Sequence, residues 1–246
     1  MSQARRDIVI SKQMSYLLRH GAEKEHLDID ECGYVSVVQL LNHNRLKSLK
    51  TSIEDVQRIV QNNDKKRFEI LSQLESFGAP SKIRATQGHS IKSVQSEKLL
   101  SKVTTYEHEH LIHGTSVASA LVILETGHLK KMNRNHIHLS FDILTKNKNE
   151  AKVIGAEPKN KVVSGMRYNS QVYIFLNHKA LFSSEISLYK SSGNEVYLME
   201  QDIPVKFFQK IVVNRGNCNK KSEDGLNRLQ QLCRLQEVHF EICENF

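Results

Sequence analysis

The hydrophobic period changes part-way along this chain, and that change limits the folds open to it more than any single motif does. Up to residue 92 the apolar positions mostly recur at helical spacing, whereas beyond about residue 108 they come in short strand-like runs. Met14, Leu17 and Leu18 fall on one side of a helix that Ser11 is placed to cap. After the turn "DECGY", the run "VVQLLNHN" reads as a second short helix. A third follows in "IEDVQRIVQNND", with Ile53, Val56, Ile59 and Val60 on one face and Thr51 and Glu54 at capping-box spacing. Two alternating runs, "KRFEIL" and "KIRATQGHSI", flank a loop containing Gly and Pro and read as a hairpin. Three helices and a hairpin predict a winged-helix lobe over residues 1–92. Such lobes commonly bind nucleic acid, although fold alone does not give function.

The polar stretch 93–108 is the expected joint. Residues 109–246 form the second expected lobe, which is rich in β-strand. "LIHGT", "HIHLS", "QVYIFLNH" and "KFFQKIVVN" predict strands, and "ISLYKSSGNEVYLM" predicts a hairpin turning at Ser192, Gly193 and Asn194. "SVASALVILETGHL" predicts a helix ending at Gly127, and residues 223–236 predict another. The lysine-rich "TKNKNEAKVIGAEPKNK" is expected to be a surface loop. The class is therefore α+β, with two lobes of unlike character.

Composition narrows the setting. At 246 residues, 39% hydrophobic and 25% charged, the chain is that of an ordinary globular protein. No apolar run is long enough to cross a bilayer and no signal-like stretch follows "MSQARRDIVI", so an intracellular protein without a membrane partner is expected, with nucleus and cytoplasm undistinguished. Cys32, Cys218, Cys233 and Cys243 contain no Cys-x-x-Cys pair and read as reduced thiols. A net charge of +8 favours a polyanionic partner.

Neither G-x-G-x-x-G nor a P-loop lysine motif occurs, which argues against a Rossmann dinucleotide site or a P-loop NTPase; a His-Glu-x-x-His zinc helix is also absent. His136 and His138 share a strand face, but no nearby Cys or carboxylate completes a ligand set, so no metal is expected. "LIHGT" is compatible with backbone capture of a ligand and equally with a strand-to-helix turn capped by Thr115 or Ser116. Arg67, Arg84, His89 and Arg167 each read alone as surface or hairpin residues. Arg19 and His20, in "MSYLLRHGA", suit a helix C-terminus, where positive charge complements the dipole and glycine stops the helix; they equally suit an anion. In combination, arginine forks and a histidine fit a phosphate dianion and metal-free phosphoryl transfer.

The order of the motifs adds what spacing does not. SYLLRH (15–20), NDKKRF (63–68), RATQGHSI (84–91), LIHGT (111–115), MNRNHIHLS (132–140), SGMR (164–167) and NEVYL (194–198) occur in sequence. This series resembles the RNA (tRNA) 2′-phosphotransferases, which use NAD, over roughly residues 7–213. The resemblance implies a winged-helix RNA lobe joined to an ADP-ribosyltransferase-like NAD lobe. It implies that the splice-junction 2′-phosphate of a tRNA is passed to NAD in the last step of tRNA splicing, without a metal, by a protein expected to be a monomer. Arg19, His20 and Arg67 are then expected to grip the phosphate, and Arg167 to neutralise the phosphoryl transition state. His20 is either a proton donor or an electrostatic stabiliser. His113, Gly114 and Thr115 are expected beside the nicotinamide riboside, and Arg134, His136, His138 and Ser140 beside the adenosine and pyrophosphate. Arg84, Gln87 and His89 are expected at the RNA-facing edge. Two alternatives remain at this stage: an NAD-dependent ADP-ribosyltransferase acting on a protein or on nucleic-acid phosphate ends, and a non-catalytic winged-helix RNA-binding protein.

Overall fold

The structure, a computed structural model, describes residues 2–72, 80–143 and 164–244. Helix and sheet are mixed in two compact units: Met1–Ser101 with Asn133–Asn135 and Ser191–Asn194, and Lys102–Met132 with His136–Lys190 and Glu195–Phe246. The lysine-rich run expected as a surface loop lies outside the described residues, as do residues 73–79 of the loop containing Gly and Pro. Among the described residues no helix is long and apolar enough to cross a membrane.

The first unit opens with α1 (Gln3–Tyr16), which passes into a π-turn at Leu17–Gly21. Ser11 therefore lies inside the helix rather than at its cap. Ile10, fully buried with Met14, Leu17 and Leu18, carries the apolar stripe a turn further upstream than the expected start. β1 (Tyr34–Ser36), α2 (Val37–Asn42), α3 (Asn44–Lys47), α4 (Ile53–Gln61), β2 (Phe68–Ser72) and β3 (Pro80–Ala85) follow. The capping box of α4 is formed by Ser52 and Asp55, one residue after the expected pair. Asp55 N donates to Ser52 Oγ at 3.3 Å and Ser52 N to Asp55 Oδ2 at 3.1 Å. β1, β3 and β2 make one antiparallel sheet in that order, so the expected hairpin carries a third strand. Within 93–108 the chain forms α5 (Ser96–Leu99) and β4 (Leu100–Lys102), and Val94, Leu99 and Leu100 are buried.

The second unit contains β5 (Ile112–Thr115), α6 (Val117–Thr126), β6 (His128–Leu129), β7 (Ile137–Leu139), β8 (Val172–Leu176), α7 (His178–Phe182), β9 (Leu188–Ser191), β10 (Tyr197–Met199) and β11 (Ile203–Pro204). It closes with β12 (Phe208–Asn214), α8 (Lys220–Glu223), α9 (Leu226–Leu235) and β13 (His239–Cys243). Its main sheet runs β13-β12-β8-β5, and only the β12–β13 pair is parallel. β8 is buried along its whole length because both its faces are covered. Val172, Ile174 and Leu176 share a core with α6 and α9, while Tyr173 and Phe175 pack with Ile112, Met166 and Val212. β9, β10 and β7 form a second antiparallel sheet. Ser116 caps α6 by accepting from Ser119 N, and Gly127 ends it with φ +71°.

Candidate functional site

Two groups of polar residues stand out, one in each unit. In the first unit the π-turn carries Arg19 and His20. Arg19 is largely buried, and its Nε and Nη2 find no acceptor among the described residues. Burial, and then the charges of Arg67 and Arg134, pull its guanidinium down to about 10. A cation whose Nε and Nη2 are buried with no acceptor among the described residues, beside other cations, is a poor structural element, and an anion would satisfy those donors. Ser90 fixes the turn from outside it, because its N–H donates to Arg19 O at 2.9 Å and its Oγ bonds His20 Nδ1 at 2.9 Å. His20 is exposed, yet desolvation of its ring, then Arg134 and Arg19, hold its pKa below the usual histidine value.

Arg67 stands at the end of a turn that other parts of the chain clamp. Asn63 Oδ1 accepts from Arg67 N and Nη1 at 3.5 and 3.4 Å. Thr86 N donates to Arg67 O at 3.0 Å, Thr86 Oγ1 to Lys66 O at 2.9 Å, and Asn194 Nδ2 to Lys65 O at 2.6 Å. Lys66 is held at φ +42°, a left-handed conformation that these bonds over-determine. Burial lowers the pKa of both Lys65 and Arg67, and for Lys65 the neighbouring Arg67 adds to the effect. Arg134 belongs to this unit, apart from the His136–Ser140 run with which the motif groups it; its neighbour Asn135 donates from Nδ2 to Ile91 O at 2.8 Å. Arg84 stands outside the cationic group. Its Nε and Nη2 reach Glu69 Oε2 at 3.0 and 2.8 Å, its Nη1 reaches Cys32 O at 3.2 Å, and Tyr34 lies beneath it. Gln87 and His89 are buried, and Gln87 Oε1 has no donor among the described residues.

In the second unit β5 presents His113, Gly114 and Thr115. His113 Nδ1 donates to His138 O at 3.0 Å, and since a carbonyl only accepts, this bond fixes which ring nitrogen carries hydrogen. Ser140 is fully buried and pairs its backbone with Ile112 at 2.7 and 2.8 Å. His136 is buried too, with Nε2 3.7 Å from Glu200 Oε1. Arg167 is exposed on a loop whose carbonyl at 167 accepts from Ser170 N at 3.2 Å and Ser170 Oγ at 2.8 Å. A Cβ on Gly114 would lie 2.7 Å from Ser170 Oγ, so glycine is what lets this loop close onto β5.

Gly165 sets the approach of the same loop. Its φ is +97°, and a Cβ there would meet Leu139 O at 2.5 Å. Gly165→Ala is expected to destabilise the protein by about 1–3 kcal/mol from backbone strain, with a further cost because Leu139 is held in β7. Urea unfolding of the variant checks this, and an unchanged midpoint would show that the loop has room to shift.

The structure thus groups Arg19, His20, Arg67 and Arg134 in one unit, and His113, Gly114, His138, Ser140 and Arg167 in the other. Ser90, Asn63, Lys65 and Asn194 were missed as site residues, although each lies inside a quoted motif. Among the described residues no group of three or more His, Cys, Asp or Glu is arranged to hold a metal ion.

Comparison with known proteins agrees with the motif order. Residues 5–201 match the family described as RNA 2′-phosphotransferase, Tpt1 / KptA family. A tRNA 2′-phosphotransferase of Saccharomyces cerevisiae is 42% identical over 98% of this chain and 97% of its own length. The tRNA 2′-phosphotransferase 1 of Danio rerio is 32% identical over 76% of each chain. Among solved structures, Thermus sp. 2.9 DarT in complex with NAD+ aligns with 57% of this chain and 98% of its own, at 10% identity and a TM-score of 0.35. With the family match spanning most of the sequence and the yeast relative aligned along nearly all of it, the chain belongs to the RNA 2′-phosphotransferase, Tpt1 / KptA family.

Proposed function

We propose that this chain removes the 2′-phosphate from RNA by transferring it to NAD, in the last step of tRNA splicing. The observation that carries the reading is Arg19: a buried guanidinium with two unspent nitrogens, crowded by Arg67 and Arg134, beside a histidine already oriented by Ser90. A phosphate dianion would neutralise that field and accept those donors. Helices α1, α2 and α4, together with the β1-β3-β2 sheet, support a winged-helix RNA-binding lobe. The β5 and β7 residues support an ADP-ribosyltransferase-like lobe that takes NAD as co-substrate. Gly114 lets the Arg167 loop close onto β5, and His113 is held by His138 O.

The reaction consists of two displacements. A 2′-phosphate oxygen bonds C1″ of the nicotinamide ribose as nicotinamide departs; the ribose 2″-hydroxyl then bonds phosphorus as the RNA O2′ departs and takes a proton. The products are 2′-OH RNA, nicotinamide and ADP-ribose 1″,2″-cyclic phosphate. Arg19, His20 and Arg67 hold the phosphate throughout, and Arg167 offsets charge as the second displacement proceeds. His20 supplies the proton that O2′ needs, or stabilises the developing charge in its place.

Incubation with NAD and an RNA bearing one internal 2′-phosphate, followed by mass spectrometry, tests this. Loss of the phosphate with release of the cyclic phosphate is expected. An RNA that keeps ADP-ribose would mean a one-step transferase, and absence of NAD consumption would mean a binding protein. Arg67→Ala is expected to raise KM for the RNA about 10- to 100-fold, the equivalent of one charge-assisted contact of ~1.5–3 kcal/mol, and to leave NAD affinity nearly unchanged. Collapse of NAD affinity with normal phosphate handling would show that Arg67 serves the other substrate.

A further inference from the structure

The segment after Asn214 carries none of the quoted motifs and lies beyond the family match, yet it is bonded to the loop that bears Arg167. The short turn Arg215–Asn217 places Asn217 so that its Nδ2 donates to Ser170 O at 2.9 Å and to Tyr168 O at 3.4 Å. Gln171 returns the bond, with Nε2 donating to Asn217 O at 3.3 Å and to Ser222 Oγ at 2.8 Å. The same Gln171 accepts from Val117 N through Oε1 at 3.0 Å and donates its N–H to Thr115 O at 2.9 Å. Ser170 in turn holds Arg167 O.

We infer that Asn217 is a positioning residue for Arg167: this tail residue holds the Tyr168 and Ser170 carbonyls, and together with the Ser170 bonds to Arg167 O it sets the backbone from which the Arg167 side chain extends. The loop is exposed at 167–169, and its regular hydrogen bonds end at Ser170. One side-chain amide bonding two carbonyls of the same loop, those of Tyr168 and Ser170, restricts its remaining freedom. The inference rests on the proposed reaction, in which Arg167 serves the second displacement.

The test measures both steps for Asn217→Asp, which keeps the shape and loses the donors, for Asn217→Ala, and for each in an Arg167→Ala background. The readout is the fraction of RNA that carries ADP-ribose on its phosphate during a single turnover. Asn217→Asp is expected to slow the second displacement about 10- to 100-fold, leave the first near its normal rate, and add nothing once Arg167 is gone. Thermal melting serves as the control for folding, and the isosteric variant covers the case in which the alanine variant does not fold. Normal partition in both variants overturns the inference, and so does parallel slowing of both steps. If Arg167→Ala itself leaves the second displacement untouched, the assignment of Arg167 fails instead, and the two failures are distinguishable.

Discussion

Replacing Arg19 by Met is expected to make the protein more stable and nearly inactive. Its guanidinium is buried, two of its nitrogens have no acceptor among the described residues, and Arg67 and Arg134 oppose its charge. Even buried ion pairs exchanged for apolar chains of similar volume leave stability unchanged or raise it by about 1–4 kcal/mol, and a buried cation without a partner has less to lose. For a chain of this size each kcal/mol moves the melting temperature by roughly 2–4 °C. Activity should move the other way. Loss of a preorganised donor aimed at transferring phosphate costs on the order of 10³-fold or more. Inorganic phosphate supplies a second reading, since it should raise the melting temperature of the unmodified protein and have little effect on the variant. A variant that is both less stable and still active would show that Arg19 is a structural residue whose partner lies elsewhere.

That opposition of stability and function explains what the sequence could and could not show. The β8 run was legible because a continuous apolar strand covered on both faces has a pattern of its own, and α6 was legible from Ser116 and Gly127 at its ends. β13 was missed because its alternation, Phe240 and Ile242 set between His239 and Glu241, is too short to stand out from a loop, and the strand lies at a sheet edge where only one side is paired. The start of α1 was misplaced because a serine inside a helix looks like a cap until Ile10 is seen to be buried. The site depends on facts that spacing does not encode. Arg19 reads as an ordinary helix-terminal cation until its burial is known, and the His20–Ser90 bond joins residues 70 positions apart. Motif order supplied the grouping that periodicity left open. Asn217 carried neither signal, and only its hydrogen bonds bring it to notice.

His20→Asn is the second large effect, because it separates the charge of that ring from its place. Asparagine retains a partner for Ser90 Oγ but cannot titrate. Desolvation, Arg134 and Arg19 lower the His20 pKa in the folded protein, so the unfolded chain binds more protons in the window below the usual histidine value. Stability is therefore fully present above that value and falls as pH drops through the window; the variant should lose this slope, as melting at a series of pH values will show. A bound phosphate dianion reverses the local field and raises the ring pKa, so RNA binding should take up a proton near neutral pH. Calorimetry in buffers of different ionisation enthalpy measures that uptake, which should vanish in the variant. If the ring delivers its proton to the departing O2′, the second displacement slows by about 10²–10⁴-fold in His20→Asn. The unmodified protein should then lose rate as pH rises past the bound-state value, and the variant should be slow and flat. A variant that kept the alkaline limb would place the titrating group elsewhere, and one that was flat but nearly as fast would leave His20 the role of orienting the phosphate alone.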